Sequence, residues 1–107
     1  MRALLTALFI VFATQVSAVE VKEYDAMPKD MQKTYIGGMA EGIAFSFELS
    51  KILGQANDVF CLPTGVALGR NLAEVALDTE KNSSEEPLDM HLAVAIVLGL
   101  IKMFPCD

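Results

Sequence analysis

The two cysteines constrain the fold of this chain more than any other feature. Cys61 lies in the apolar segment Phe-Cys-Leu-Pro-Thr-Gly-Val (residues 60–66), and Cys106 ends the segment Lys-Met-Phe-Pro-Cys. In an oxidising compartment neither thiol has another partner within the chain. A bond between them would close a long loop and stabilise the fold by about 4 kcal/mol, because it restricts the unfolded chain. The constraint applies if the chain reaches such a compartment.

The first 18 residues have the pattern of a secretory signal. Arg2 supplies a positive charge, residues 4–13 are apolar apart from one threonine, and Val16-Ser17-Ala18 places short side chains where a signal peptidase reads them. A buried helix and a membrane anchor are the alternatives, but a membrane span needs about 20 apolar residues, roughly twice this run. We therefore predict a cleaved signal peptide over residues 1–18 and a single domain over residues 19–107.

The charge of the chain limits its partners. Fourteen acidic residues against eight basic ones give a formal net charge of −6. Without a basic stripe the chain cannot neutralise a nucleic-acid backbone, and the same sign disfavours anionic membrane surfaces. We therefore expect no nucleic acid and, after signal cleavage, no membrane as partner. A basic protein steered by opposite charge is permitted.

A long helix is predicted to begin at Pro28 and to stop at Gly54 or Asn57. Its glycines, at positions 37, 38 and 42, indicate either close approach of another helix or a kink. The preceding residues 19–27 alternate apolar and acidic side chains, which fits a short strand or a flexible end. The long helix has an apolar seam at 4-3 spacing, interpreted as core or dimer seam, formed by Met31, Tyr35, Gly38, Gly42, Phe45, Leu49 and Ile52 and widened by Ile36, Met39, Ile43 and Phe47.

Two further helices are predicted, over about residues 66–78 and 87–103. The first is amphipathic. The second is apolar on every face from Leu92 to Ile101, so protein must surround it, either in a homodimer or by insertion between the other helices. The polar residues 79–86 between them are predicted to form a loop. The sequence therefore predicts an all-α fold, a small bundle of three to four helices.

Residues for chemistry are sparse. The single histidine, His91, lies beside Asp89 at the predicted start of the last helix, where a structural role is commoner than a catalytic one. No His-x-x-x-His or Cys-x-x-Cys spacing suggests a metal site, and the glycines at 37, 38 and 42 lie inside a helix, without the lysine and serine of a phosphate loop. We predict no enzyme, no cofactor and no metal.

From Tyr35 onward the chain resembles a known family. The matching features are Tyr-Ile-Gly-Gly (residues 35–38) with Gly42, the Cys-Leu-Pro-x-Gly-Val turn at residues 61–66, Pro87 after a polar turn, and the terminal Phe-Pro-Cys at residues 104–106. This pattern resembles the Rap/Tai family of small periplasmic immunity proteins associated with bacterial type VI secretion. One departure is Ala67, where members often carry a Ser or Thr that caps the following helix.

The resemblance implies an all-α protein exported to the periplasm, with Cys61 and Cys106 joined in a structural disulfide. Characterised members bind and block peptidoglycan-cleaving amidase toxins, and some act as dimers. It therefore implies a secreted, basic toxin as partner, with a homodimer as a further possibility. The toxin's identity does not carry over, because the polar turn is variable.

The leading hypothesis is an inhibitor that occludes a toxin active site with an exposed loop. The alternative is that this loop is only a solvated connection. Two other functions stay open: an acid-stress chaperone that exposes apolar dimer surface near about pH 2–3, and a structural protein of the envelope. The predicted partner-binding residues are Glu80, Lys81, Asn82, Ser83, Ser84, Glu85 and Glu86.

Overall fold

The computed structural model describes residues 19–54, 58–84 and 88–106, and these residues form four helices. They are α1 (Val21–Asp25), α2 (Lys29–Ile52), α3 (Arg70–Asn82) and α4 (Leu92–Met103). The all-α prediction is confirmed, with a single isolated bridge between Glu20 and His91 among the described residues. No described helix combines the length and the apolar content needed to cross a membrane.

The N-terminal segment forms a short helix, so both predictions for residues 19–27 are wrong. Val21 and Tyr24 are 2% and 6% exposed, because residues three apart share one face of a helix. Backbone hydrogen bonds anchor the segment to the start of α4: the Val21 N–H donates to Met90 O over 3.0 Å, and the Leu92 N–H donates to Val19 O over 2.8 Å. The alternation of apolar and acidic residues suggested a strand, but the i, i+3 spacing of Val21 and Tyr24 is that of a helix.

Helix α2 begins directly after Pro28, as predicted, and ends before Gly54, whose positive φ of 68° favours glycine. Of the predicted apolar positions, the widening ones supply the core, whereas the 4-3 seam itself faces away from it, and its interpretation as a dimer seam stays a prediction. The buried positions are the adjoining Ile36, Ala40 and Ile43. The large members of the seam are exposed: Met31, Phe45, Leu49 and Ile52.

The glycines of α2 do not mark a contact within the chain. A Cβ added at Gly38 or Gly42 would meet nothing within 4 Å, and one at Gly37 would make ordinary contact with Arg70. The helix continues through all three positions. Among the described residues, close approach by another element therefore does not explain Gly38 and Gly42, and a kink at these glycines stays a prediction.

Helices α3 and α4 form the closest helix–helix contact of the described residues, and small residues line it. A Cβ added at Gly99 would lie 1.9 Å from Ala76 O, so the two backbones nearly touch. Ala73, Ala76 and Ala95 are all fully buried beside it. This contact, together with α1, covers much of α4, although Val94 stays 46% exposed.

Both later helices differ from their predicted bounds. Helix α3 is shifted toward the C-terminus relative to residues 66–78, because Gly69 is extended and the polar residues up to Asn82 continue the helix. Helix α4 begins at Leu92 rather than near Pro87, and His91 precedes it in an extended conformation.

Candidate binding surfaces

The disulfide joins the two cysteine segments, as predicted. Cys61 and Cys106 are bonded with their Cα atoms 5.1 Å apart, and the Cys61 N–H donates to Phe104 O over 2.8 Å. Gly65, with φ 86°, closes a turn in which the Val66 N–H donates to Pro63 O. The proline-containing turn and the C-terminus are therefore one covalently fixed unit.

This unit also holds the C-terminal half of α2. The rings of Phe47 and Phe60 pack edge to face with centroids 4.9 Å apart. Beside them lies a cleft of about 300 Å³, lined by Ala44, Phe47, Glu48, Lys51, Asp58, Phe60, Cys61, Leu62 and Leu68. Phe60 and Cys61 are thus fixed to α2 and to the C-terminal segment by ring packing and by the disulfide.

The predicted partner-binding residues do not form a single exposed loop. Glu80, Lys81 and Asn82 belong to α3, and Glu80 is only 6% exposed. Its Oε2 lies 2.7 Å from Lys102 Nζ, which also donates to Ser83 Oγ over 2.7 Å. The first residue of this set therefore connects α3 to α4.

The remaining members are placed differently. Lys81 pairs with Asp25 of α1, Asn82 and Ser83 are exposed, and Ser84 is half-buried. Glu85 and Glu86 lie outside the described residues. A role of this set in binding stays a prediction, and its exposed members in the described part are Asn82 and Ser83, of which Ser83 uses its hydroxyl to bond Glu80 O and Lys102.

A charged cleft of about 500 Å³ lies among α1, α2 and α3. Burial raises the pKa of Tyr24, and the nearby Glu74, Asp25 and Asp78 raise that pKa further. The Gln32 amide donates to Tyr24 O over 2.9 Å and fixes α1 against α2. Because its lining carries three carboxylates and three lysines, the cleft has no dominant charge for a ligand; its lining is Tyr24, Asp25, Lys29, Gln32, Lys33, Glu74, Leu77, Asp78 and Lys81.

His91 is exposed at the start of α4. Its backbone carbonyl accepts a hydrogen bond from the Ala95 N–H, and its backbone forms the isolated antiparallel β-bridge with Glu20. In the described part of the chain, no group of three or more His, Cys, Asp or Glu side chains is arranged to hold a metal ion. The absence of enzymatic activity stays a prediction.

An exposed apolar surface lies on α2, along the 4-3 seam that the sequence analysis interpreted as core or dimer seam. We name it the α2 outer face: Met31, Gly38, Gly42, Phe45, Leu49 and Ile52. Phe45 and Ile52 are 68% and 74% exposed, which is unusual for side chains of this size. The seam was visible in the sequence, but the sequence did not show that the opposite side of α2 supplies the core.

Comparison with known protein families, with characterised proteins and with solved structures finds no match to this chain. The resemblance to the Rap/Tai family therefore depends on the motif residues.

Proposed function

We propose that this chain is a periplasmic immunity protein that binds a secreted peptidoglycan-cleaving amidase toxin and occludes its active site. The observation that carries the proposal is the junction of the two most specific motifs of the resemblance. The Cys-Leu-Pro-x-Gly-Val turn and the terminal Phe-Pro-Cys are far apart in sequence, yet a disulfide and a 2.8 Å backbone hydrogen bond join them.

The physical properties of the domain suit an inhibitor. A disulfide and a closely packed helix pair restrict the conformations of the domain, which reduces the conformational entropy lost on binding. Its net negative charge accelerates encounter with a basic protein and disfavours acidic partners. Both properties support binding without requiring any chemistry from the chain.

The direct test is inhibition. Oxidised protein comprising residues 19–107 is titrated against a panel of purified peptidoglycan amidases, with hydrolysis of peptidoglycan as the readout. We expect stoichiometric inhibition of one enzyme, and protection of cells in which that enzyme is directed to the periplasm. Failure to inhibit any amidase at micromolar concentration, together with failure to protect cells, would contradict the proposal.

The predicted contact residues are tested in the same assay. Alanine at Asn82, Ser83 and Ser84 together should weaken inhibition, whereas Glu80 is left intact because its carboxylate is buried beside Lys102. A matched control replaces Thr64, which is exposed in the cysteine turn, with alanine. Full inhibition by the triple variant would remove these residues from the proposed contact.

The acid-stress chaperone is the second candidate, and the α2 outer face is the observation that favours it. A chaperone holds unfolded clients on exposed apolar surface, and Phe45 and Ile52 supply such surface. The two functions separate in one experiment, suppression of the aggregation of an unrelated unfolded protein near about pH 2–3. The immunity proposal predicts no suppression of aggregation. The chaperone proposal predicts strong suppression even when the client is in molar excess.

A further inference from the structure

Helix α2 is apolar on two opposite sides. At 3.6 residues per turn, Phe45 and Gly38 point away from Ile36 and Ile43, which lie in the core. The exposed fractions are 54% for Met31, 68% for Phe45, 42% for Leu49 and 74% for Ile52. A helix that only covered the core would carry polar residues on this outer side.

The size of the α2 outer face is that of a binding surface. Its positions span about 30 Å of helix. A large apolar side chain presents on the order of 200 Å² when fully exposed, so the four large residues leave a patch of roughly 400–500 Å². Gly38 and Gly42 add a shallow depression in its centre, since a Cβ at either would meet nothing within 4 Å. With its polar rim, the patch approaches the roughly 800 Å² that each partner contributes to a standard interface.

One long edge of this face is acidic. Asp30, Glu41 and Glu48 are exposed and recur at about the same angle around the helix, so they line one side of the α2 outer face. Among the described residues none of the three is paired with a lysine or arginine. We name these three residues the acidic edge. Of the lysines of α2, Lys29 and Lys33 line the charged cleft, and Lys51 lines the cleft beside Phe60, as Glu48 also does.

We infer that the α2 outer face and the acidic edge together bind a basic partner protein, through an apolar ridge or helix flanked by lysine or arginine. The apolar centre supplies the area, and the acidic edge selects the charge. The inference deepens the proposed function, on which it depends for the partner's identity: the toxin would contact this surface instead of, or together with, the end of α3.

A second copy of this chain fits the surface less well. In a two-fold antiparallel pairing of α2 helices, the same edge of each copy faces the other, which places the two acidic edges side by side. In a parallel pairing, each acidic edge faces the neutral edge with Tyr35, Ser46 and Leu53, so the carboxylates gain no opposite charge. Two copies at −6 each also repel one another.

The test places a photo-crosslinking amino acid at Phe45 in the full chain, in the organism that encodes it. The same amino acid at Val75, which is 50% exposed on α3, is the matched control. Adducts are identified by mass spectrometry, and binding of the purified partner is then measured for wild type, Phe45→Glu, Val75→Glu and the double variant Glu41→Lys with Glu48→Lys.

We expect one basic protein as the adduct from position 45 and not from position 75. Phe45→Glu and the charge-reversal variant should each weaken its binding, Phe45→Glu on the order of 100-fold, and Val75→Glu should leave it unchanged. Circular dichroism and melting of each variant exclude unfolding as the cause. An adduct with a second copy of the chain, the same adducts from both positions, or no adduct would overturn the inference. A basic partner without amidase activity would leave this surface assigned while contradicting the proposed function.

Discussion

The α3–α4 contact and the α2 outer face use the same kinds of residue to opposite effect. Both combine glycine with large apolar side chains. At the α3–α4 contact, Gly99 lies against the backbone of Ala76, and Ile96 is fully buried. On the α2 outer face, Gly38 and Gly42 have open space above them, and Ile52 is exposed. The difference shows that one contact is completed within the described chain and that the other surface is left exposed.

Truncation of matched isoleucines should give the largest contrast. Ile96→Ala removes a fully buried side chain and should lower the free energy of unfolding by about 4 kcal/mol. Ile52→Ala, on the α2 outer face, should change it by no more than about 0.5 kcal/mol. Urea unfolding with the disulfide intact measures both. Equal losses would mean that Ile52 is also buried in solution.

Replacing two matched glycines with alanine should give the next largest contrast, because the free energy of unfolding should fall in one variant and rise in the other. Gly99→Ala forces its Cβ against Ala76 O and should cost about 3 kcal/mol. Gly42→Ala meets no atom and should stabilise the free protein by up to about 1 kcal/mol, because alanine favours a helix. The comparison fails if Gly99→Ala is tolerated or if Gly42→Ala destabilises the isolated chain.

Two lysine–carboxylate pairs of α3 compare a buried contact with an exposed one: Glu80 with Lys102 of α4, and Lys81 with Asp25 of α1. Lys102→Met leaves the Glu80 carboxylate, whose side chain is 8% exposed, without its cation. Because the Lys102 side chain is itself half exposed, we expect this variant to lower the free energy of unfolding by about 1–2 kcal/mol. Lys81→Met breaks the more exposed pair with Asp25 and should cost no more than about 0.5 kcal/mol. Thermal and urea unfolding of the two variants give the ranking, and a reversed order would contradict the burial of Glu80.

The smallest predicted effect is the alkaline dependence of stability that Tyr24 produces. Its pKa is raised above 10.0 by burial and by nearby carboxylates, so the folded state holds the phenol proton more tightly than the unfolded state does. The resulting contribution to the free energy of unfolding is fully present below about pH 10 and is lost as the pH rises through the raised pKa. Tyr24→Phe should flatten that part of the curve, whereas Tyr35→Phe should keep it. An unchanged slope in Tyr24→Phe would contradict the shift.

The sequence predicted the elements that depend on local signals. Pro28 marked the start of α2, the amphipathic spacing indicated α3, and the cysteine segments indicated the disulfide. It did not predict the end of α3, because residues up to Asn82 are polar and their tertiary contacts, Glu80 with Lys102 and Lys81 with Asp25, are not visible in the sequence.

The sequence also could not assign the faces of α2, because both sides carry apolar residues and only the position of α3 decides between them. The α3–α4 contact did leave a signal. Ala95-x-x-x-Gly99 is a small-x-x-x-small spacing of the kind that lets helices approach closely. The sequence analysis offered close approach as one of two explanations for the glycines of α2, and no described residue lies within 4 Å of a Cβ built at Gly38 or Gly42.

The most direct test of the account is an inhibition titration of the amidase panel with wild type, Phe45→Glu and Val75→Glu side by side. The account predicts that wild type and Val75→Glu inhibit one basic amidase at a stoichiometric ratio, while Phe45→Glu, folded to the same extent, requires on the order of 100-fold more protein. No inhibition by wild type would contradict the proposed function. Equal inhibition by all three proteins would contradict the role of the α2 outer face.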